Sequence, residues 1–230
     1  MQQNPRYIFM IGRGGSGKDT QSDLLLERLP HAARISIGDL YRGARSARGQ
    51  YGKYHELVRP YIQKVDEGGL FPDAVVIELV KQEIATLREE GVDTFLFPGT
   101  PRTVAQAREI SQWLATEPDA HSDFLYYAIS DETSFQRAGT RRARAVAKGE
   151  EPRRDDLAEV ITERLRQFHD HTPDILMDII DAHTSSFHAI AAEGSIEDVY
   201  EQTITALGLP KANEPREVNE PTLASLAWRL

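Results

Sequence analysis

Short apolar runs alternate with longer stretches of helical period along most of this chain. The runs at residues 7–11, 33–35, 94–97, 124–129 and 187–191 have the length and composition of buried strands. Between them apolar residues recur every three to four positions. That spacing predicts helices at 17–29, 39–48, 54–65, 73–89, 104–115, 132–141, 155–181 and 195–207. Parallel neighbours need a long return connection, and strand–helix alternation supplies one. The expected fold is therefore α/β: a three-layer, doubly wound, five-stranded parallel sheet.

Two stretches depart from that rhythm. The span between the second and third strands is far longer than a crossover requires and holds several helical patterns, so an inserted lobe is expected at 36–72. Residues 141–154 are rich in Arg, Lys, Gly and Glu with hardly an apolar side chain, the composition of a mobile flap. A length of 230 residues fits one domain, placed at 1–209. Residues 210–230 contain three prolines and no periodicity, and read as a tail that docks loosely or through the leucines around Trp228. No internal repeat is present.

Composition narrows the partners. A net charge of −9 argues against a surface built for nucleic acid. The absence of cysteine removes disulfides and thiolate metal sites. The first apolar run is far shorter than the roughly 20 residues of a membrane helix and carries no signal-peptide cleavage pattern. A soluble, cytoplasmic monomer with neither nucleic acid nor membrane as partner is expected.

The first predicted strand runs into Gly12-Arg13-Gly14-Gly15-Ser16-Gly17-Lys18-Asp19-Thr20, the Gly-x-x-x-x-Gly-Lys spacing of a phosphate-binding loop. Glycines let successive N–H groups turn inward toward phosphate oxygens, and the following helix adds its positive end. Lys18 would reach the β- and γ-phosphates. An ordinary glycine-rich turn is the competing reading, and the strand before and helix after favour the phosphate loop. Asp19 stands where the general motif has a Ser or Thr for Mg²⁺, with Thr20 one place later.

From here the chain resembles the adenylate kinase family, whose loop reads Gly-x-Pro-Gly-Ser-Gly-Lys-Gly-Thr-Gln. Gly14 through Gln21 follow it, with Gly14 for Pro and Asp19 for Gly. Ser36-Ile37-Gly38-Asp39-Leu40-Tyr41-Arg42 resembles the entrance to the family's monophosphate lobe, and Gly68-Gly69-Leu70-Phe71-Pro72-Asp73 its end. Pro98-Gly99-Thr100-Pro101-Arg102-Thr103-Val104-Ala105-Gln106 resembles Asp-Gly-Phe-Pro-Arg-Thr-x-x-Gln. Arg137 and Arg141 on one side, and Arg153-Arg154-Asp155-Asp156 with Arg164 on the other, resemble the flanks of the lid. The likeness covers roughly residues 6–207 and the lid is a short one without zinc-type ligands, so no metal held by side chains is expected.

The resemblance implies a phosphotransferase converting ATP and AMP to two ADP, with Mg²⁺ held mainly through phosphates and water. It places ATP on Gly14, Gly15, Ser16, Gly17, Lys18, Asp19, Thr20, Arg137 and Arg141. It places the acceptor against Ile37, Arg42, Phe71, Gly99, Arg102, Gln106, Arg153 and Arg164, and assigns catalysis to Lys18, Arg102, Arg141, Arg153 and Arg164. AMP is favoured because Thr103 and Gln106 fit the adenine-reading form of the motif. Arg142, Arg144 and Arg154 read as solvated surface charges. Asp155 and Asp156 fit the acidic start of a helix. His169 and His171, two apart on a helix, point away from each other and suggest no metal.

Three departures bear on function. Pro98 replaces the acid at the end of the third strand that helps organise Mg²⁺ in the family, and Asp93 lies at the opposite end of that strand. Ile37 replaces a threonine and Thr100 a phenylalanine in the acceptor pocket. A nucleotide-binding sensor without efficient transfer, a monophosphate kinase with a different acceptor, and a kinase for a non-nucleotide acceptor therefore stay open at this point.

Overall fold

The computed structural model describes residues 4–47, 49–67, 69–117, 119–152 and 156–210. Strands β1 (Arg6–Ile11), β2 (Ala32–Arg34), β3 (Thr94–Pro98), β4 (His121–Ala128) and β5 (Phe187–Ala191) form one sheet in the order β2-β3-β1-β4-β5. Every neighbouring pair is parallel. Alternation along the strands splits the apolar residues between two faces. Tyr7, Phe9, Ile11, Phe95, Phe97 and Phe124 face one way, Ile8, Met10, Leu96, Leu125 and Tyr127 the other, and both sets are buried. Burial on both faces is why the strands read as continuous apolar runs. The rings of Phe97, Phe9 and Phe124 stack in series, with centroids 4.7 and 4.9 Å apart.

Helices cover each face. Leu40, Tyr41 and Ala44 of α2 (Ile37–Arg45) pack on the phenylalanine face. So do α5 (Asp73–Glu89), α6 (Val104–Ala115) and α8 (Ala158–His183) through Leu79, Ile110 and Ile179. Leu25 of α1 (Lys18–Arg28) and Val199 and Ile204 of α9 (Ile196–Ala206) cover the other. This is the three-layer arrangement expected from the alternation of strand and helix.

Some boundaries moved, each for a physical reason. Strand β4 begins at His121 instead of 124, because Asp123, although charged, is buried against Arg6, whose Nε lies 3.0 Å from its Oδ2. The helix expected at 54–65 is broken into 3₁₀ turns at Gln50–Tyr54 and Arg59–Tyr61 and short α-helical pieces α3 (His55–Val58) and α4 (Ile62–Asp66). Pro60 lacks the N–H that would continue the ladder. Helix α7 (Asp131–Ala147) runs well into the stretch expected to be a flap. Ala143, Ala145 and Ala147 are strong helix formers and need no buried face to hold one. It ends before Gly149, at φ +71°.

The calls on Gly68, on Arg153, Arg154 and Asp155, and on the tail from residue 211 lie outside the described residues. No helix among the described residues is long and apolar enough to cross a membrane.

Candidate active site

The carboxyl end of β1, where later strands are added on both its sides, is the crevice in which doubly wound sheets hold ligands. The phosphate loop lies there. Gly12 has φ +151°, and a Cβ on it would lie 2.7 Å from the Tyr127 carbonyl oxygen, so only glycine fits the first turn. Gly17, at φ +89°, is the N-cap of α1, where a left-handed residue turns the loop into the helix. This is the turn into a helix N-terminus at which loop amides can face an anion.

Lys18 closes this loop from within. Its Nζ donates to the Gly12 carbonyl at 2.8 Å, the Arg13 carbonyl at 2.7 Å and Ser16 Oγ at 3.0 Å, so its three N–H donors are all taken by the loop itself. Desolvation pushes its pKa down from 10.5 to about 7, Asp19 opposes the shift, and the charges of Arg102 and Arg164 add to it. Residues from three distant parts of the sequence therefore act on one ammonium group.

A polyphosphate brings the opposite charge and raises that pKa. Above about pH 7 part of the free protein lacks the Lys18 proton, and the bound form regains it. ATP binding at pH 8 should take up a fraction of a proton, read by calorimetry in buffers of different ionisation enthalpy. Lys18→Met should abolish the uptake, and an unchanged value in that variant would assign the proton elsewhere.

The α7 side of the loop is tied down residue by residue. Ser134 Oγ donates to the Gly14 carbonyl at 2.7 Å. Arg137 reaches the Gly15 carbonyl at 3.1 Å and the Ala192 carbonyl at 2.9 Å, placing its guanidinium at the wall of the loop. Arg141, one turn on, is held through Nε and Nη2 by Asp156 on the far side of the flap; both Nε contacts are 3.0 Å. Asp156 stands directly before helix α8, whose N-cap, Leu157, makes no side-chain cap, and also serves as a buried partner for Arg141.

Beside the loop, the segment after β3 presents Arg102. The Gly99 N–H donates to the Met10 carbonyl at 2.8 Å, fastening this segment beside the loop. Arg102 Nε donates to the Gly99 carbonyl at 2.9 Å, and its backbone N–H to Gln106 Oε1 at 2.8 Å. Gln106 is buried, and its Nε2 donates in turn to Asp73 at 2.9 Å, which also accepts from Thr103 Oγ1 at 2.7 Å.

Sequence comparison agrees with this geometry. The sequence model of the adenylate kinase family matches residues 10–184. An adenylate kinase of Methylobacterium nodulans is 32% identical over 165 residues, 72% of this chain and 78% of that protein. One from Corynebacterium aurimucosum is 32% identical over 206 residues, 88% and 99% of the two chains. A third, from Corynebacterium glutamicum, is 30% identical over 203 residues, 87% and 98%.

The chain belongs to the adenylate kinase family. With it comes the P-loop nucleoside monophosphate kinase class, and the remaining positions of the family pattern can be read on this structure. Arg42 pairs with Asp39 at the surface, on the helix that Ser36 caps. Ile37 opens that helix half-buried. Phe71 is buried between the rings of Tyr41 and Tyr61, with centroids 5.5 and 6.1 Å away. Asp19 and Thr20 are exposed on the first turn of α1. Pro98 is the last residue of β3, and its nitrogen, which carries no hydrogen, falls on the β2 side one step beyond the ladder bond from Ile35 N–H to the Leu96 carbonyl. His169 bonds Asp131 at 2.8 Å, so its partner is a carboxylate of α7.

Reading the sequence of this family member missed Asp73 and Arg13. Asp73 was visible only as the end of a motif; nothing in its spacing shows that it anchors Gln106 and Thr103 from another helix. Arg13 occupies a variable position of the loop and carried no signal.

Proposed function

We propose that the protein transfers the γ-phosphoryl group of ATP to AMP, yielding two ADP. The observation that carries this reading is the Arg102 segment fastened to β1 beside the phosphate loop, with the charges of Arg102 and Arg164 both felt at Lys18. Phosphoryl transfer asks a protein for alignment and charge neutralisation more than for covalent chemistry.

The loop amides and Lys18 take the ATP phosphates, with Arg137 beside them. Arg42 and Arg102 take the phosphate of the acceptor, Ile37, Phe71 and Gly99 line its nucleoside, and Gln106 serves its base while holding the Arg102 loop in place. Arg141, Arg153 and Arg164 close over the transferring group, giving planar donors where negative charge spreads in the transition state. In this reading 36–72 is the monophosphate lobe and 141–154 the lid that excludes water. A soluble, cytoplasmic monomer is part of the same proposal, supported by the net charge of −9 and mean hydropathy of −0.47.

The residues present fit a hydrated Mg²⁺ brought by the nucleotide. No group of three or more His, Cys, Asp or Glu among the described residues is arranged to cage a metal ion, and the carboxylate beside Lys18 is that of Asp19. When bound, Mg²⁺ neutralises charge on the β- and γ-phosphates.

The test is a coupled assay of ADP formation with ATP, Mg²⁺ and each nucleoside monophosphate in turn. AMP should give the highest kcat/KM, and no ADP above background with any acceptor overturns the proposal. Pro98→Asp places a carboxylate at the end of β3 and should lower the Mg²⁺ concentration that gives half-maximal rate. An unchanged Mg²⁺ titration would show that the natural site loses nothing by carrying proline there.

A further inference from the structure

Arg13 is the one residue of the phosphate loop whose side chain leaves the loop and crosses to both helices that flank the flap. Its Nε lies 2.8 Å from Asp131 Oδ1 at the start of α7. That approach is an ion pair without hydrogen-bond alignment, since neither atom has a hydrogen-bond partner. One Nη donates to the Ile129 carbonyl at the carboxyl end of the sheet. The guanidinium carbon sits 4.5 Å from the ring centre of Phe168 on α8. A second tether runs beside it, from Asp131 Oδ2 to His169 on α8 at 2.8 Å. The Arg13 side chain is only 15% exposed, so these contacts are made largely out of solvent.

The position of Phe168 gives this cluster its meaning. Phe168 follows Arg164 by four residues on α8, one turn along the same face. Arg164 is one of the two arginines whose charge acts on Lys18. A guanidinium over the Phe168 ring and paired to Asp131 thus adds, to the core packing of Ile175 and Ile179, a contact that links α8 directly to the loop one turn from Arg164. A cation–π contact is strongest with the guanidinium over the ring face, so it favours one placement of Phe168 over others.

We infer that Arg13 is a positioning residue for phosphoryl transfer: it clamps α8 through Phe168 so that Arg164 stands over the phosphate loop. The inference rests on the proposed role of Arg164 at that site. In this role the Arg13 side chain acts through the helix.

A double-mutant cycle on kcat separates this role from a merely structural one. Arg13→Met keeps the aliphatic stem and removes charge and stacking. It should lower kcat roughly ten- to a hundredfold, the scale of an ångström's misplacement, with the KM for AMP nearly unchanged. In the Arg164→Ala background the same substitution should cost less than threefold, because there is no longer an arginine to position. Phe168→Leu should reproduce the loss and be non-additive with Arg13→Met, and Arg13→Lys should restore part of the rate.

Equal factors in the two backgrounds overturn the positioning role, as does an undiminished kcat in Arg13→Met. Should Arg13→Met fail to fold, the cycle of Phe168→Leu with Arg164→Ala decides by the same criterion. The two readings fail separately: an Arg164→Ala enzyme with unchanged kcat sinks the site assignment, while a crippled one with additive Arg13 effects sinks only the clamp.

Discussion

Lys18→Met should lower kcat/KM for ATP by roughly a hundred- to a thousandfold, the loss seen when one preorganised donor is taken from a developing negative charge. The structure explains why the protein itself should survive the change. Three acceptors lose a partner, the Gly12 and Arg13 carbonyls and Ser16 Oγ. Each such loss costs on the order of 1 kcal/mol. Against that, desolvation and the charges of Arg102 and Arg164 already disfavour the Lys18 ammonium, and its removal relieves them. The opposing terms are similar in size, so the thermal midpoint should move by only a few degrees. Steady-state kinetics beside thermal unfolding checks both halves. A rate within tenfold of the natural enzyme would remove Lys18 from the mechanism.

Arg102→Lys is the second large effect expected. It keeps the charge near Lys18 but loses the planar fork. Arg102 Nε is anchored on the Gly99 carbonyl at 2.9 Å, which fixes the plane of the guanidinium relative to the loop. A lysine ammonium is a flexible point charge and cannot use that anchor while meeting two phosphate oxygens at once. The expected loss is about a hundredfold in kcat/KM for AMP. ATP affinity, measured by calorimetry without acceptor, should stay within a few-fold, because the loop amides and Lys18 are untouched. An enzyme whose KM for AMP does not rise would place Arg102 on the donor phosphates alone. The network from Gln106 to Asp73 predicts a weaker version of the same phenotype for Asp73→Asn, since the backbone of Arg102 is held at second hand through it.

Pro98 and Asp19 look different once the strands are in place. Pro98 stood out in the sequence as the loss of the acid that helps organise Mg²⁺ at the end of the third strand. In the structure it stands at the last position of β3, where β2 has already turned away toward Ser36. It lies past the last registered β2–β3 pair, Arg34 with Leu96, where the missing N–H falls at the end of the ladder. Asp19 raised a similar question, and its exposure on the first turn of α1 lets the carboxylate stay hydrated beside Lys18.

Much of the architecture was legible because it depends on local periodicity. A strand buried on both faces must be apolar throughout, a helix on a sheet must repeat every three to four residues, and the phosphate loop needs glycine where φ is positive. These requirements are written into neighbouring residues, so the five strands, the long helices and the loop at 12–18 could be read directly. The motifs around Arg42, Arg102 and Arg164 were legible as well, since each is a short run of adjacent positions. The extension of α7 past Arg141 escaped that reading because its alanines carry helix propensity without an apolar stripe.

The pairings belong to the tertiary structure alone. Arg141 with Asp156, Arg102 through Gln106 to Asp73, Arg13 with Phe168, and Arg6 with the buried Asp123 join residues whose separation in sequence carries no period. A charged side chain gives the same local signal whether it meets water or a buried partner. Only the folded chain, by removing water from one side of it, decides which arginines are surface charges and which are held in place around Lys18.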